Sequence, residues 1–159
     1  GWYTLAVALD FERSGVGYSA SARRTLEALV EYAKETLHNG KPLAEDPIVR
    51  RKLASRHMET EVSRWLSYRV AWMQSQGLSP NAEASMSKLY GTELTQRVAQ
   101  TGMELLGLAG QLSGGSKWAP LQGYMQRSYL GSVSATIAAG TSEIQRDIIA
   151  RRGLGLPRG

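Results

Sequence analysis

The sequence predicts an all-α protein: an up-and-down helical bundle of three long and two shorter helices. Three observations lead there. Apolar residues recur at three- and four-residue intervals over long stretches. Glycine, proline and capping residues cluster between those stretches, at Asn39-Gly40, Asp46-Pro47, Gly77 and Ser79-Pro80. No segment alternates apolar and polar residues as a half-buried strand would, and no repeat recurs at the period of a solenoid.

The first stretch runs from about Trp2 to Thr36, with Leu5, Leu9, Val16, Leu26, Leu29, Val30 and Ala33 at helical spacing. Ser14-Gly15-Val16-Gly17 interrupts it. Two glycines weaken a helix by about 1 kcal/mol each, so a kink or a close approach by another part of the chain is predicted there. Glu12 stands out, because steps of four, three and four from Leu5 through Leu9 and Glu12 to Val16 put a carboxylate in the middle of an apolar stripe. Such a group is either ion-paired inside or serves a reaction.

His38-Asn39-Gly40-Lys41-Pro42 reads as a helix stop, with Gly40 at a C-cap-like position and Pro42 behind it. Asp46 and Pro47 open the second helix, proline sitting where its missing N–H is harmless. That helix is predicted to reach about Gln76, carrying Leu53, Met58, Val62, Trp65, Leu66, Trp72 and Met73 inward. His57 has no second His or Cys at metal-binding spacing and reads as a packing or surface residue, so no metal is predicted. Ser79-Pro80-Asn81 is an N-cap and N1 pair opening the third helix, which runs to about Leu106 with Met86, Tyr90, Leu94, Val98, Thr101 and Leu105 along one side. A glycine-rich loop over 107–115 comes next, then a short helix from about Ala119 to Ser132. No Gly-x-Gly-x-x-Gly follows a strand, which removes a Rossmann reading.

The last helix is the most informative. Gly140 breaks the chain, and Thr141 or Ser142 can cap a new helix, Ser142 and Gln145 having the spacing of a capping box. Ile144, Ile148 and Ile149 form an apolar stripe, and Gly153, Gly155 and Pro157 close it. A capped helix start presents backbone N–H groups suited to anions.

Composition narrows the function classes. The chain has 159 residues, enough for one domain with a core, and no cysteine, so neither disulfides nor thiol chemistry is available. The net charge of +5 comes from 19 basic and 14 acidic residues. The basic clusters Arg23-Arg24, Arg50-Arg51-Lys52 and Arg151-Arg152 are interleaved with acids along helices, a pattern of solvated faces that argues against a nucleic-acid binder. No window is apolar enough to span a bilayer, and Gly1-Trp2-Tyr3-Thr4 does not begin a signal peptide; the chain reads as soluble and cytoplasmic.

The string Ala139-Gly-Thr-Ser-Glu-Ile-Gln-Arg-Asp-Ile-Ile-Ala150 resembles the signature near the C-terminus of acyl-CoA dehydrogenases. The resemblance extends to Gly1-Trp2, Leu9-Asp10-Phe11-Glu12-Arg13, Tyr32-Ala33-Lys34-Glu35-Thr36, Ala84-Ser85-Met86-Ser87-Lys88-Leu89, Gln96-Arg97 and Met103-Glu-Leu-Leu-Gly107. It implies that residues 1–159 are the helical C-terminal domain of such an enzyme, of the branch common in actinobacteria. The family's N-terminal helical and middle β domains are absent from this sequence. The resemblance further implies an FAD cofactor, an acyl-CoA substrate, electron-transfer flavoprotein as acceptor and a homo- or hetero-oligomer.

The family's chemistry is oxidation of the Cα–Cβ bond of an acyl thioester: a glutamate removes the α-proton while the β-hydrogen leaves as hydride. In most members that glutamate directly precedes Gly-Thr-Ser, where this sequence has Ala139. In a smaller set it lies on the first helix, at the position of Glu12, which makes Glu12 the candidate base. By the same resemblance Asp10, Arg13 and Gly140 border the acyl-CoA. Thr141, Ser142 and Glu143 contact FAD, and Leu106-Gly107 meets the FAD of a neighbouring subunit. Thr36, Pro47 and Glu104 depart from the family pattern, replacing an arginine and two glutamines that contact FAD. Those departures, with Ala139, motivate a rival reading: a non-catalytic or partner-dependent subunit of a hetero-oligomer.

Overall fold

The computed structural model describes residues 15–157. Its first helix, α1 (Val16–Glu35), starts from Gly15, which holds φ 76°. Gly15 lies hard against Ser87 and Ser67, so a Cβ there would collide with the Ser87 hydroxyl. The Gly15 signal therefore marks a close approach between helices. Leu26, Leu29 and Ala33 are buried as predicted, whereas Val16 is left exposed at the helix start. Leu5, Leu9, Asp10, Glu12 and Arg13 lie outside the described residues.

The predicted stop after α1 is a hairpin instead. The Thr36 N–H closes α1 on Tyr32 O at 2.9 Å. Then β1 (Leu37–His38) pairs antiparallel with β2 (Lys41–Pro42), Leu37 opposite Pro42. Asn39 and Gly40 have φ 52° and 77°, the pair of left-handed residues that a two-residue type I′ turn requires. Asn-Gly is a hairpin signal as well as a helix stop, and flanks only two residues long hid the strand alternation.

Helix α2 (Pro47–Ser75) begins as predicted: Asp46 Oδ1 accepts from Ile48 N at 2.7 Å and Val49 N at 3.3 Å. Its inward face does not follow the prediction. Leu53 is buried as predicted, but Met58, Val62, Trp65 and Trp72 are exposed, while Thr60, Ser63, Ser67 and Val70 are buried. The physical reason is the distance between helices. Ser67 Oγ lies 3.3 Å from Ser87 Oγ of the neighbouring helix and donates to Ser63 O of its own helix at 2.9 Å. Thr60 and Ser67 can be buried because each donates to a carbonyl of its own helix, Thr60 to Arg56 O at 2.8 Å, and such small side chains let the two backbones come close.

Helix α3 (Asn81–Leu106) is the axis of the bundle, packing against every other helix. It begins one residue later than predicted. Pro80 is its N-cap, with no side-chain cap, and Ser79 plays no capping part. Leu94, Val98 and Thr101 are buried, but so are Ala84, Ser85, Ser87, Lys88, Gly91 and Thr92, so burial wraps around the helix. Gly91 faces Tyr18 and Gly102 faces Met125, and a Cβ at either position would overlap its neighbour.

Beyond a 3-10 turn over Gly107–Gln111, a second tight segment, Pro120–Gly123, places Leu121 and Gln122 at φ 49° and 54°. That conformation cannot continue a right-handed helix, so α4 spans Tyr124–Ala135 rather than starting at Ala119. Helix α5 (Ser142–Ile148) ends in a π-turn over Ile149–Gly153. The described residues thus form three long and two shorter helices. Their apolar core, from Leu26, Leu29, Leu53, Leu94, Val98, Leu106 and Met125, sits where α1, α2 and α4 cross α3. Among the described residues no helix is long and apolar enough to cross a membrane.

Candidate active-site turn

Between α4 and α5 the chain folds back sharply. Ser142 N reaches Thr136 O at 3.0 Å, and Ala139 and Gly140 take φ 54° and 94°. A Cβ on Gly140 would stand 2.6 Å from Gln145 Nε2, so both conformation and space call for glycine there. Thr141 is the N-cap of α5, its Oγ1 accepting from Ile144 N at 3.3 Å. The predicted capping box does not form. Gln145, fully buried, turns its Nε2 back onto Ala139 O at 3.2 Å and Gly140 O at 3.4 Å. From the other side the Lys88 ammonium, 1% exposed, donates to Gly140 O at 2.6 Å.

The turn's remaining polar groups differ in character. Ser142 Oγ is buried without a hydrogen-bond partner among the described residues. The Glu143 carboxylate is exposed, and hydrogen bonds from its own backbone N–H and then from Thr141 hold it below its ordinary pKa. Ile144 of the predicted apolar stripe is 52% exposed, because α5 seats itself on α3 through Ser142 and Gln145 instead. An ion pair adds to that seating, Arg146 reaching Glu93 of α3 at 2.6 Å.

The structure gathers Gly140, Thr141, Ser142 and Glu143 into one turn beside the first part of α3. Leu106 and Gly107 lie at the far end of that helix, about 27 Å from Lys88 at the helical rise per residue. A cleft of about 590 Å³ opens there, lined by Met103, Glu104, Gly107, Gln111, Gln126 and Tyr129 among others. The two groups of predicted cofactor residues therefore cannot meet at one point of the same chain.

Thr36, Pro47 and Glu104 have local duties. Thr36 closes α1 and accepts from Leu43 N at 2.9 Å, and Pro47 is the first residue of α2. Glu104 is neutralised by Lys52 at 2.7 Å and accepts from Gln100 at 3.1 Å. Among the described residues no cluster of His, Asp or Glu could hold a metal ion, and His57 sits exposed on α2.

Sequence reasoning missed the parts that Lys88 and Gln145 play. A signal was present for Lys88: a single lysine within the small-residue run Ala84, Ser85, Ser87, Gly91 and Thr92 cannot leave the interior with its neighbours buried.

Residues 1–154 match the family description "Acyl-CoA dehydrogenase, C-terminal domain". The chain belongs to the acyl-CoA dehydrogenase family. Acyl-CoA dehydrogenase FadE26 of Mycobacterium tuberculosis is 35% identical, over 99% of this chain and 40% of that protein. The crystal structure of the ChsE4–ChsE5 complex from Mycobacterium tuberculosis superposes with TM-score 0.82 at 37% identity, covering 89% of this chain and 37% of that one. The Tcur3481–Tcur3483 steroid ACAD superposes with TM-score 0.87 at 31% identity, covering 100% of this chain and 40% of that one. This acyl-CoA dehydrogenase domain thus spans about two fifths of the length of the relatives it matches.

Proposed function

We propose that the chain is the C-terminal helical domain of an FAD-dependent acyl-CoA dehydrogenase whose base is Glu12. The observation that carries this is the chemistry of the turn. Ala139, where most members carry the glutamate, has only a methyl group. The turn's own carboxylate, Glu143, is exposed and less basic than an ordinary glutamate. Abstraction of an α-proton needs the reverse, a carboxylate made more basic by desolvation. Glu12, which the sequence sets at helical spacing among Leu5, Leu9 and Val16, is the carboxylate assigned to that role.

The donors present fit a flavin. Ser142 Oγ is a buried hydroxyl with no partner among the described residues, the kind of group that an added ligand satisfies. Ser142, Thr141 and Glu143 would hold FAD, and when bound it supplies the acceptor for the β-hydride. Leu106 and Gly107 would meet a neighbouring subunit's FAD, with Lys52 pairing the Glu104 carboxylate beside them. Asp10, Arg13 and Gly140 would border the acyl-CoA. A cytoplasmic location and electron-transfer flavoprotein as acceptor belong to the same proposal, supported by the family resemblance.

The test is anaerobic addition of a panel of acyl-CoAs to the full-length protein and its Glu12→Gln variant. The wild type is expected to be yellow and to bleach with its preferred substrate, and the variant to lose at least about 100-fold in rate. A Glu12→Gln enzyme with near-normal turnover would sink the assignment. The second reading, a partner-dependent subunit in a hetero-oligomer, is favoured by Ala139 and by the resemblance to a complex of ChsE4 with ChsE5. A stable but colourless full-length protein that takes up no added FAD would select it.

A further inference from the structure

The turn over Ala139 and Gly140 is braced from inside the bundle by two buried polar side chains. Lys88 is 1% exposed and its Nζ lies 2.6 Å from Gly140 O. Gln145 is fully buried, and its Nε2 donates to Ala139 O at 3.2 Å and Gly140 O at 3.4 Å. A buried ammonium is costly to desolvate, and a charge-assisted hydrogen bond to a carbonyl is among the stronger contacts that can offset it. Apolar packing at position 88 would need no such charge.

The consequence is directional. A trans peptide holds its C=O and N–H antiparallel, so drawing the carbonyls of Ala139 and Gly140 toward Lys88 and Gln145 turns the amides of Gly140 and Thr141 the other way. Both backbone angles are left-handed, φ 54° and 94°, a conformation that surrounding contacts must hold in place. We propose that Lys88 is a positioning residue of the active site, fixing through Gly140 O the turn that presents Gly140 and Thr141 to substrate and cofactor, with Gln145 as the second brace. The inference rests on the proposed acyl-CoA dehydrogenase reading.

The experiment uses the full-length protein, with Lys88→Met, which keeps length and apolar bulk without the charge, and Gln145→Met. Two quantities are read: the limiting rate of flavin reduction against the dissociation constant of the acyl-CoA, and backbone hydrogen exchange over residues 137–142. In Lys88→Met the limiting rate is expected to fall about tenfold to a hundredfold while the dissociation constant moves by less than about threefold. Exchange in the turn should rise, and that in the core of α3 should stay unchanged. Gln145→Met should give a smaller loss of the same kind. Wild-type reduction rates with unchanged turn protection in Lys88→Met overturn the proposal. Should Lys88→Met fail to fold, the same result in Gln145→Met overturns it. A wild type that no acyl-CoA reduces sinks the underlying dehydrogenase reading, while the exchange data still decide the brace: unchanged protection in Lys88→Met overturns it.

Discussion

Single side chains set the chemistry of the turn and of the Gly107 cleft. Ala139 brings no carboxylate to the turn, and the hydrogen bonds that Glu143 accepts make it a weaker base than an ordinary glutamate. Glu104 is paired with Lys52. The Lys52 hydrogen bond, offset by some desolvation, holds its carboxyl below the ordinary value of 4.5. A folded-state value below the unfolded one means that the pair stabilises the protein above that ordinary value and loses its contribution as pH falls through the depressed folded value. Both side chains are about two fifths exposed, so the contribution stays below about 1 kcal/mol. Denaturation of wild type and Lys52→Met between about pH 7 and about pH 3 should show a gap that closes toward the acid end. A constant gap would mean that Lys52 acts through packing of its stem.

Among the elements, α2 separates hydrophobicity from burial. Its aromatic and large apolar side chains, Met58, Trp65 and Trp72, point outward at 63%, 63% and 59% exposure, and Ser63 and Ser67 point inward. Ser63→Leu should therefore destabilise the fold by about 1–3 kcal/mol through overpacking against α3. Trp65→Gln should change it by less than about 0.5 kcal/mol, although tryptophan is the larger and more apolar residue. Equal losses on chemical denaturation would contradict the burial pattern. The same helix joins a ladder of charge that ties α5 to the bundle: Arg146 to Glu93 at 2.6 Å, then Arg97 to Glu59 at 2.7 Å and Arg56 to Glu59 at 3.1 Å. Helix α5 is only seven residues long and buries two of them, so it is held largely by such contacts and by Gln145.

For the whole molecule, the exposed apolar side chains of α2 together with Trp118 and Leu108, 72% and 86% exposed, make surfaces of the kind that contact other protein. The turn lacks a base among the described residues, and the Gly107 cleft lies at the opposite end of α3. The isolated 159-residue chain is accordingly expected to bind a hydrophobic dye such as ANS and to give no bleaching of added FAD with acyl-CoA. Turnover by the isolated chain would show that it holds a complete site.

Some of this was legible in the sequence because it depends on local physics. Helix number and type came from periodicity, Asp46-Pro47 from capping chemistry, and the Gly140-Thr141 turn from the Ala-Gly-Thr-Ser signature. Other features belong to the pairing of distant segments. Asn39-Gly40 made a hairpin because Leu37 found Pro42 across it. Ser63 and Ser67 became interior because α3 approaches α2 closely, and Gln145 abandoned the capping box because the carbonyls of Ala139 and Gly140 stand within its reach. Lys88 and Gly140, 52 residues apart, meet only once α5 has folded onto α3. Sequence alone determined the elements and the residue chemistry, since helix propensity, capping and titratable groups act over a few residues. The tertiary structure decided which faces are buried and which groups brace the turn, since hydrogen bonds and close contacts exist only between surfaces that the fold has brought together.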